Sequence, residues 1–170
     1  MTRDVAALRV VADYQFGAGA GAALFPPDAS EDLSISRSTG GRPRQIHGPA
    51  GRLVSFGTDG RFTLGLAGGD RLRDALDPPA YRVVVGAESE PHVRDGANAF
   101  AKFVRDADPA IRPRDEVLVV NEQGDLLAVG TAALDATAMA DFETGMAVDV
   151  REGRPASEET GGKGTKERTD

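Results

Sequence analysis

Short apolar runs separated by Gly, Pro and Asp/Asn punctuation run along this chain, a pattern that favours strands over long helices. The first run, Leu8-Arg9-Val10-Val11-Ala12, predicts a strand entering a segment with Gly at 17, 19 and 21 that is closed by Pro26-Pro27. Residues 33–36, 52–56 and 61–66 predict three more strands. The last of these puts Phe62, Leu64 and Leu66 on one face, after a hairpin turn at Asp59-Gly60. A short helix is predicted over 70–76, capped by Asp70, with Leu72, Ala75 and Leu76 on one side and Pro78-Pro79 forbidding its continuation.

Beyond the proline pair the punctuation changes. Residues 81–85 read as a strand, 90–96 as a short helix or turn, 99–104 as a second strand and 111–115 as a turn around Pro113. Residues 116–120 and 126–131 form a hairpin whose loop contains Gly124. The best-signalled helix spans 135–144: Asp135 caps it, Leu134 and Met139 are spaced as a hydrophobic staple, Met139 and Phe142 face inward, and Gly145 stops it. A final strand covers 146–150. The expected organisation is a first domain at 1–77, a second at 80–152 and a polar, disordered tail at 153–170, where Gly161-Gly162-Lys163-Gly164 lacks any apolar period.

Composition narrows the chemistry. With 170 residues and no Cys, the chain has no disulfide, thiolate zinc site, iron–sulfur cluster or Cys nucleophile. Asp4 and Asp13 interrupt the N-terminal apolar stretch, and no uncharged run is long enough for a membrane span, so a soluble, cytoplasmic protein without membrane partners is expected.

The net charge of −7 argues at first against nucleic acid. It is unevenly built, however: 17 Arg but 3 Lys, 17 Asp but 10 Glu, with residues 1–86 at +1 and 87–151 at −7. Scarce Lys with abundant Asp resembles the proteome of salt-accumulating, halophilic archaea, where solvated carboxylates maintain solubility; GC-rich codon usage also favours Arg, Ala and Gly. The acidity therefore speaks of solvent as much as of partner.

No catalytic constellation emerges. Gly17-x-Gly19-x-x-Ala22 fits a dinucleotide fingerprint, but only Ala22-Ala23-Leu24-Phe25 precede Pro26-Pro27, too few for the helix whose N-terminus would hold a pyrophosphate. There is no G-x-S-x-G elbow, and His47 and His92 stand apart and read as surface or capping residues. Asp106, Asp108, Asp115 and Glu116 lack a calcium-loop spacing and read as a solvated acidic face. No metal, no cofactor and no enzymatic activity are expected.

The positive signal is the segment Val93-Arg94-Asp95-Gly96-Ala97-Asn98-Ala99-Phe100-Ala101-Lys102-Phe103-Val104, followed by Ile111-Arg112-Pro113-Arg114-Asp115-Glu116-Val117, the strand ending Leu127-Ala128-Val129-Gly130, and Gly145-Met146-Ala147-Val148-Asp149-Val150-Arg151. In order and spacing this resembles a PUA domain, the RNA-binding module of pseudouridine synthases and archaeosine transglycosylases. Upstream, Ala12-Asp13-Tyr14-Gln15-Phe16-Gly17, Gly40-Gly41-Arg42-Pro43-Arg44-Gln45 and Asp59-Gly60-Arg61-Phe62-Thr63-Leu64 resemble the small α+β domain that precedes PUA in archaeosine tRNA-guanine transglycosylases.

The resemblance implies an α+β protein: a small α+β domain, then a β pseudobarrel with two short helices. It also implies RNA docking at Gly96, Ala97, Asn98, Phe100 and Lys102, with Arg94 beside them and Arg151 at the end of the last strand. Arg37, Arg42, Arg44 and Arg52 are offered as supplementary phosphate contacts. The implied function is non-catalytic binding of tRNA or another structured RNA in connection with tRNA modification. The alternative is an interaction subunit whose barrel is an assembly surface for a tRNA-modifying enzyme. One departure stands out: where the family usually has Gly-Asp, this chain has Arg114-Asp115, so the turn must either hold a non-Gly residue in glycine's dihedral or change type.

Overall fold

A computed structural model describes residues 2–156, and most of the tail expected over 153–170 lies outside the described residues. The chain divides into two compact units, Met1–Pro78 and Pro79–Asp170.

The first unit runs α1 (Thr2–Phe16), α2 (Ala20–Leu24), a 3-10 turn (Pro27–Asp32), β1 (Ser34–Arg37), β2 (Pro43–Gly48), β3 (Gly51–Phe56), β4 (Phe62–Leu64) and α3 (Leu66–Ala75). The strand expected at 8–12 is instead the middle of α1. Val5, Leu8, Ala12 and Phe16, all at most 3% exposed, recur every three or four residues and line one helical face, whereas Val10 points to solvent at 68% exposure. The strand expected at 61–66 ends at Leu64, and α3 begins a turn before the expected cap, with Gly65 in place of Asp70 at the N-cap.

The four strands form an antiparallel meander in sequence order. Two in-register rows cross it: Ile35, Ile46, Val54 and Leu64 on one face, and Ser36, Gln45, Ser55 and Thr63 on the other. Ile46, Val54 and Leu64 are fully buried, while Ser36 and Gln45 are exposed and Ser55 and Thr63 half-buried, the division expected of a sheet with one face on the core. The edge at β4 is held by α1: the Gln15 amide nitrogen donates to the Phe62 carbonyl at 2.9 Å and its oxygen accepts from the Phe62 N–H at 2.7 Å.

The second unit runs β5 (Arg82–Val85), α4 (Glu90–Arg94), β6 (Ala99–Phe100), a 3-10 turn (Ala101–Phe103), β7 (Val104–Ala107), β8 (Glu116–Val120), β9 (Leu126–Ala132), α5 (Ala136–Asp141) and β10 (Met146–Gly153). The strand expected at 99–104 is thus two strands broken by the 3-10 turn. That break governs the architecture. In the sheet order β6-β10-β9-β8-β5-β7, the two outermost strands are separated by only three residues of chain, so the sheet must curl until its edges nearly meet. The result is the expected pseudobarrel in an α+β fold, with Val83, Val85, Val117, Val119, Leu127, Ala147 and Val148 filling its interior. β5 pairs in parallel with β8; every other neighbouring pair is antiparallel.

Helix α5 is capped as its sequence implies, the Asp135 carboxylate accepting from the Ala138 N–H at 2.9 Å, and Met139 is buried. Phe142, expected to face inward, is 50% exposed, because α5 ends at Asp141 and Phe142 has extended dihedrals that swing it off the helical face.

The turn before β8 keeps glycine's dihedral without the glycine: Arg114 has φ of 81°, while its N–H donates to the Ala132 carbonyl at 2.8 Å. A left-handed non-Gly residue costs about 1–2 kcal/mol, partly offset by the smaller chain entropy it loses on folding. Arg114→Gly is therefore expected to stabilise the second unit by about 0.5–1 kcal/mol, read as a raised urea midpoint; an unchanged or lowered midpoint would contradict the strain.

Candidate nucleic-acid interface

Helix α4 and the residues that follow it carry most of the positions expected to dock RNA. Pro91 lies in the first turn of α4, and at the other end the N–H groups of Asp95, Gly96 and Ala97 donate back to His92 and Val93 carbonyls at 2.9–3.1 Å. Gly96 takes φ of 99°, the left-handed stop that the helix end requires, with no atom within 4 Å of where a Cβ would stand. Gly96 and Ala97 are consequently an exposed, low-relief stretch of backbone.

Asn98 is half-buried, and its side-chain oxygen accepts from the Val150 N–H at 2.9 Å where the β10 ladder shifts register. It fastens the loop to the last strand. Phe100 follows at 44% exposure, on a two-residue strand paired to β10. Phe100 and Phe103 are shared by two clefts. One, of about 340 Å³, is lined also by Ser89, His92, Ala97 and Asn98; the other, of about 410 Å³, also by Lys102, Glu143, Thr144 and Gly145. Lys102 is exposed and its ammonium lies 5.2 Å from the Phe103 ring centroid, within cation–π range. Gly96, Ala97, Asn98, Phe100 and Lys102 are thus brought together. His92 and Phe103 complete the surface; the aromatic at 103, one residue past Lys102, was the available sequence signal.

At the rim, the Glu88 carboxyl sits below its ordinary value, mainly through a hydrogen bond from its own backbone; desolvation opposes this, and Arg105, whose guanidinium donates to it at 2.9 Å, adds a smaller lowering. A depressed carboxylate favours folding above its unfolded value and loses that contribution as pH falls through the folded one.

The expected contact at Arg94 requires correction, because Arg94 is buried and internally paired, whereas Arg151 is exposed and shared with an internal carboxylate. Arg94 is 7% exposed, ion-paired to Glu90 at 2.9 Å, and donates to the Arg154 carbonyl at 3.2 Å. The Asn121 amide also reaches Glu90 at 3.4 Å, so this carboxylate ties α4 to the β8–β9 loop. Arg151 forms a two-nitrogen pair with Glu116, itself 4% exposed, and Glu116 also accepts from the Thr131 hydroxyl at 3.0 Å. The buried Glu116 carboxylate left without such a cation would be costly, and Arg151 prevents that.

In the first unit, Arg37 pairs with Asp4 at 2.6 Å and Arg42 lies 5.8 Å from the Phe56 ring centroid. Arg52 donates to the Ser55 hydroxyl at 2.9 Å, while Arg44 is exposed beside the β1–β2 register shift. Among the described residues no group of three or more His, Asp or Glu could hold a metal ion, and no helix is long and apolar enough to cross a membrane.

Comparison with known proteins matches residues 6–79 to the patch-forming domain C2 of tRNA-guanine transglycosylase and residues 81–154 to the PUA domain. The chain carries a C2 domain followed by a PUA domain. Its C2–PUA pair is 45% identical over 155 residues to a tRNA-guanine(15) transglycosylase of Pyrococcus furiosus, covering 89% of this chain and 26% of that protein. It is 50% identical over 144 residues to the Thermococcus kodakarensis protein of the same name, covering 84% and 24%. The chain therefore spans about a quarter of the length of these relatives. Among solved structures, a hypothetical protein from Pyrococcus horikoshii superposes with a TM-score of 0.63 at 24% identity, covering 90% of this chain and 91% of that one, a likeness of fold. A PUA domain from Aeropyrum pernix gives 0.51 at 17% identity, covering 64% and 66%.

Proposed function

We propose that this chain is a non-catalytic RNA-binding module, with tRNA as its RNA and tRNA modification of the transglycosylase type as its setting. The observation that carries the reading is the Phe100–Lys102–Phe103 ridge beside the low-relief loop 96–98, in the PUA domain of a chain 45–50% identical to proteins named tRNA-guanine(15) transglycosylase. The loop allows close approach of a nucleic-acid backbone, Phe100 presents a face for a base, and Lys102 supplies the cation for phosphate. Arg94 and Arg151 contribute by holding α4 and β10 in place. The scarcity of Lys and excess of Asp support a high-salt cytoplasm as the working solvent, in which stacking and hydrogen bonding carry what charge steering cannot.

The test is filter binding of the purified chain to tRNA at low and at molar KCl. Binding is expected in both regimes, weakening with salt; absence of binding in both would overturn the proposal. Lys102→Ala is expected to weaken binding about threefold to tenfold and to reduce the salt dependence by about one ion, while Phe100→Ala loses roughly tenfold with an unchanged salt slope.

A second reading, an assembly subunit for a tRNA-modifying enzyme, is favoured by Phe100 and Phe142, both exposed on the barrel. It predicts that a pull-down recovers such an enzyme with little RNA.

A further inference from the structure

The open face of the first sheet carries chemistry that the PUA surface leaves unused. Residues 33–58, which supply β1, β2 and β3, contain four arginines and no acid, although 27 acids in 170 residues would place about four in a stretch of that length. In an acidic protein this is a marked local reversal of charge.

The side chains between those arginines are neutral hydrogen-bonding groups. The row Ser36, Gln45, Ser55 and Thr63 crosses all four strands in register, and Ser34, His47 and Arg52 form the neighbouring row. A register shift between Ile46 and His47 restores Arg52 to the same face as Ser55, to which it donates at 2.9 Å. Adjacent strands are about 4.8 Å apart, so the longer row presents polar groups over about 14 Å. The Ser36 hydroxyl accepts from the Gln45 N–H at 3.2 Å and the Ser55 hydroxyl from Arg52. A hydroxyl that accepts within the protein keeps its own proton to donate, and the Gln45 amide offers both donors and an acceptor.

We propose that this face is a second RNA contact that reads ribose 2′-hydroxyls, with the exposed Arg44 addressing a flanking phosphate and Arg52, which donates to Ser55 and to the Leu64 carbonyl at 3.4 Å, orienting the Ser55 hydroxyl. DNA offers phosphate oxygens but no sugar hydroxyl, and an acidic polypeptide offers carboxylates that only accept. The 2′-hydroxyl is the repeating backbone group that both donates and accepts, which is what a row of hydroxyls and an amide complements. Hydrogen bonds of this kind also survive salt that screens phosphate contacts. The inference rests on the reading of the chain as RNA-binding, but on residues remote in sequence from the PUA ridge.

The experiment measures anisotropy of a labelled RNA hairpin and a DNA hairpin of the same sequence with the full chain across KCl concentrations. The variants are the double substitution Gln45→Ala/Ser55→Ala, Arg44→Ala and Lys102→Ala, with thermal melts confirming that each is folded. The double variant is expected to lose about fivefold to tenfold on RNA and less than twofold on DNA. Arg44→Ala is expected to weaken both and to lower the slope of log Kd against log [KCl] by about 0.9. Unchanged RNA affinity in the double variant, with Lys102→Ala still impaired, would overturn this face while leaving the PUA surface standing. Equal losses on RNA and DNA, or displacement by polyglutamate as effective as by unlabelled RNA, would overturn the 2′-hydroxyl assignment. Failure of the unaltered chain to bind either hairpin would remove both.

Discussion

Arg94→Ala is expected to destabilise the second unit by about 3 kcal/mol, while its effect on RNA affinity is limited to loosening of the loop that follows it. The guanidinium side is 8% exposed and the Glu90 side 24%, so truncation empties the buried arginine's place, leaves a half-buried carboxylate without its cation and frees the Arg154 carbonyl. Removing one partner of a buried pair costs about 3–5 kcal/mol; the lower end applies because Asn121 still reaches Glu90. Urea unfolding should show the second unit's midpoint falling by about 1–3 M for a domain of this size. The salt slope of RNA binding should not change, since no phosphate contact is lost. An unchanged midpoint with a smaller salt slope would mean that Arg94 meets RNA directly.

Gly68→Ala separates helix propensity from packing. Alanine in a helix interior is favoured over glycine by up to about 1 kcal/mol, and Gly68 lies within α3, so propensity alone predicts a gain. A Cβ at Gly68 would stand 2.0 Å from the Leu53 carbonyl oxygen and 2.9 Å from its carbon, both backbone atoms of β3. Either α3 lifts from the sheet or β3 bends, and the expected net cost is about 2–3 kcal/mol. Gly40→Ala, which meets only the Ser38 hydroxyl at 3.9 Å, is the control and should stay within about 0.5 kcal/mol. Stabilisation by Gly68→Ala in thermal melts would refute the close approach.

Legibility in the sequence followed the range of the forces involved. Helix α5 declared itself through Asp135 and Met139, and the β8–β9 hairpin through two apolar runs around Gly124, because caps and turns are local. Helix α1 was misread as a strand because a five-residue window sees Val10 and Val11 together, while the decisive spacing of Val5, Leu8, Ala12 and Phe16 spans three turns. β2 went unnoticed because Ile46 is its one fully buried side chain. In the site, Gly96 and Lys102 were expected from the resemblance to a PUA domain, with which their residue types agree. The engagement of Arg151 with Glu116, 35 residues away, depends on β10 and β8 flanking β9 on opposite sides, which no local pattern encodes. Arg94 was more readable than that, since Glu90 stands one helical turn before it.

The parallel pairing of β5 with β8 bears on how the protein is made. Arg82 meets Leu118 and Val84 meets Val120, so this ladder closes a loop of 36 residues. Loop closure of that length is an entropic toll levied before any ladder bond forms, and it places the step among the slower ones of folding. During synthesis β5 leaves the ribosome ahead of both strands that will flank it: Val83-Val84-Val85 is an apolar β segment with two bare edges until β7 has emerged at residue 107, and with one bare edge until residue 120. Chains truncated before β8 should accordingly aggregate, whereas chains cut after residue 153 retain every strand of the barrel.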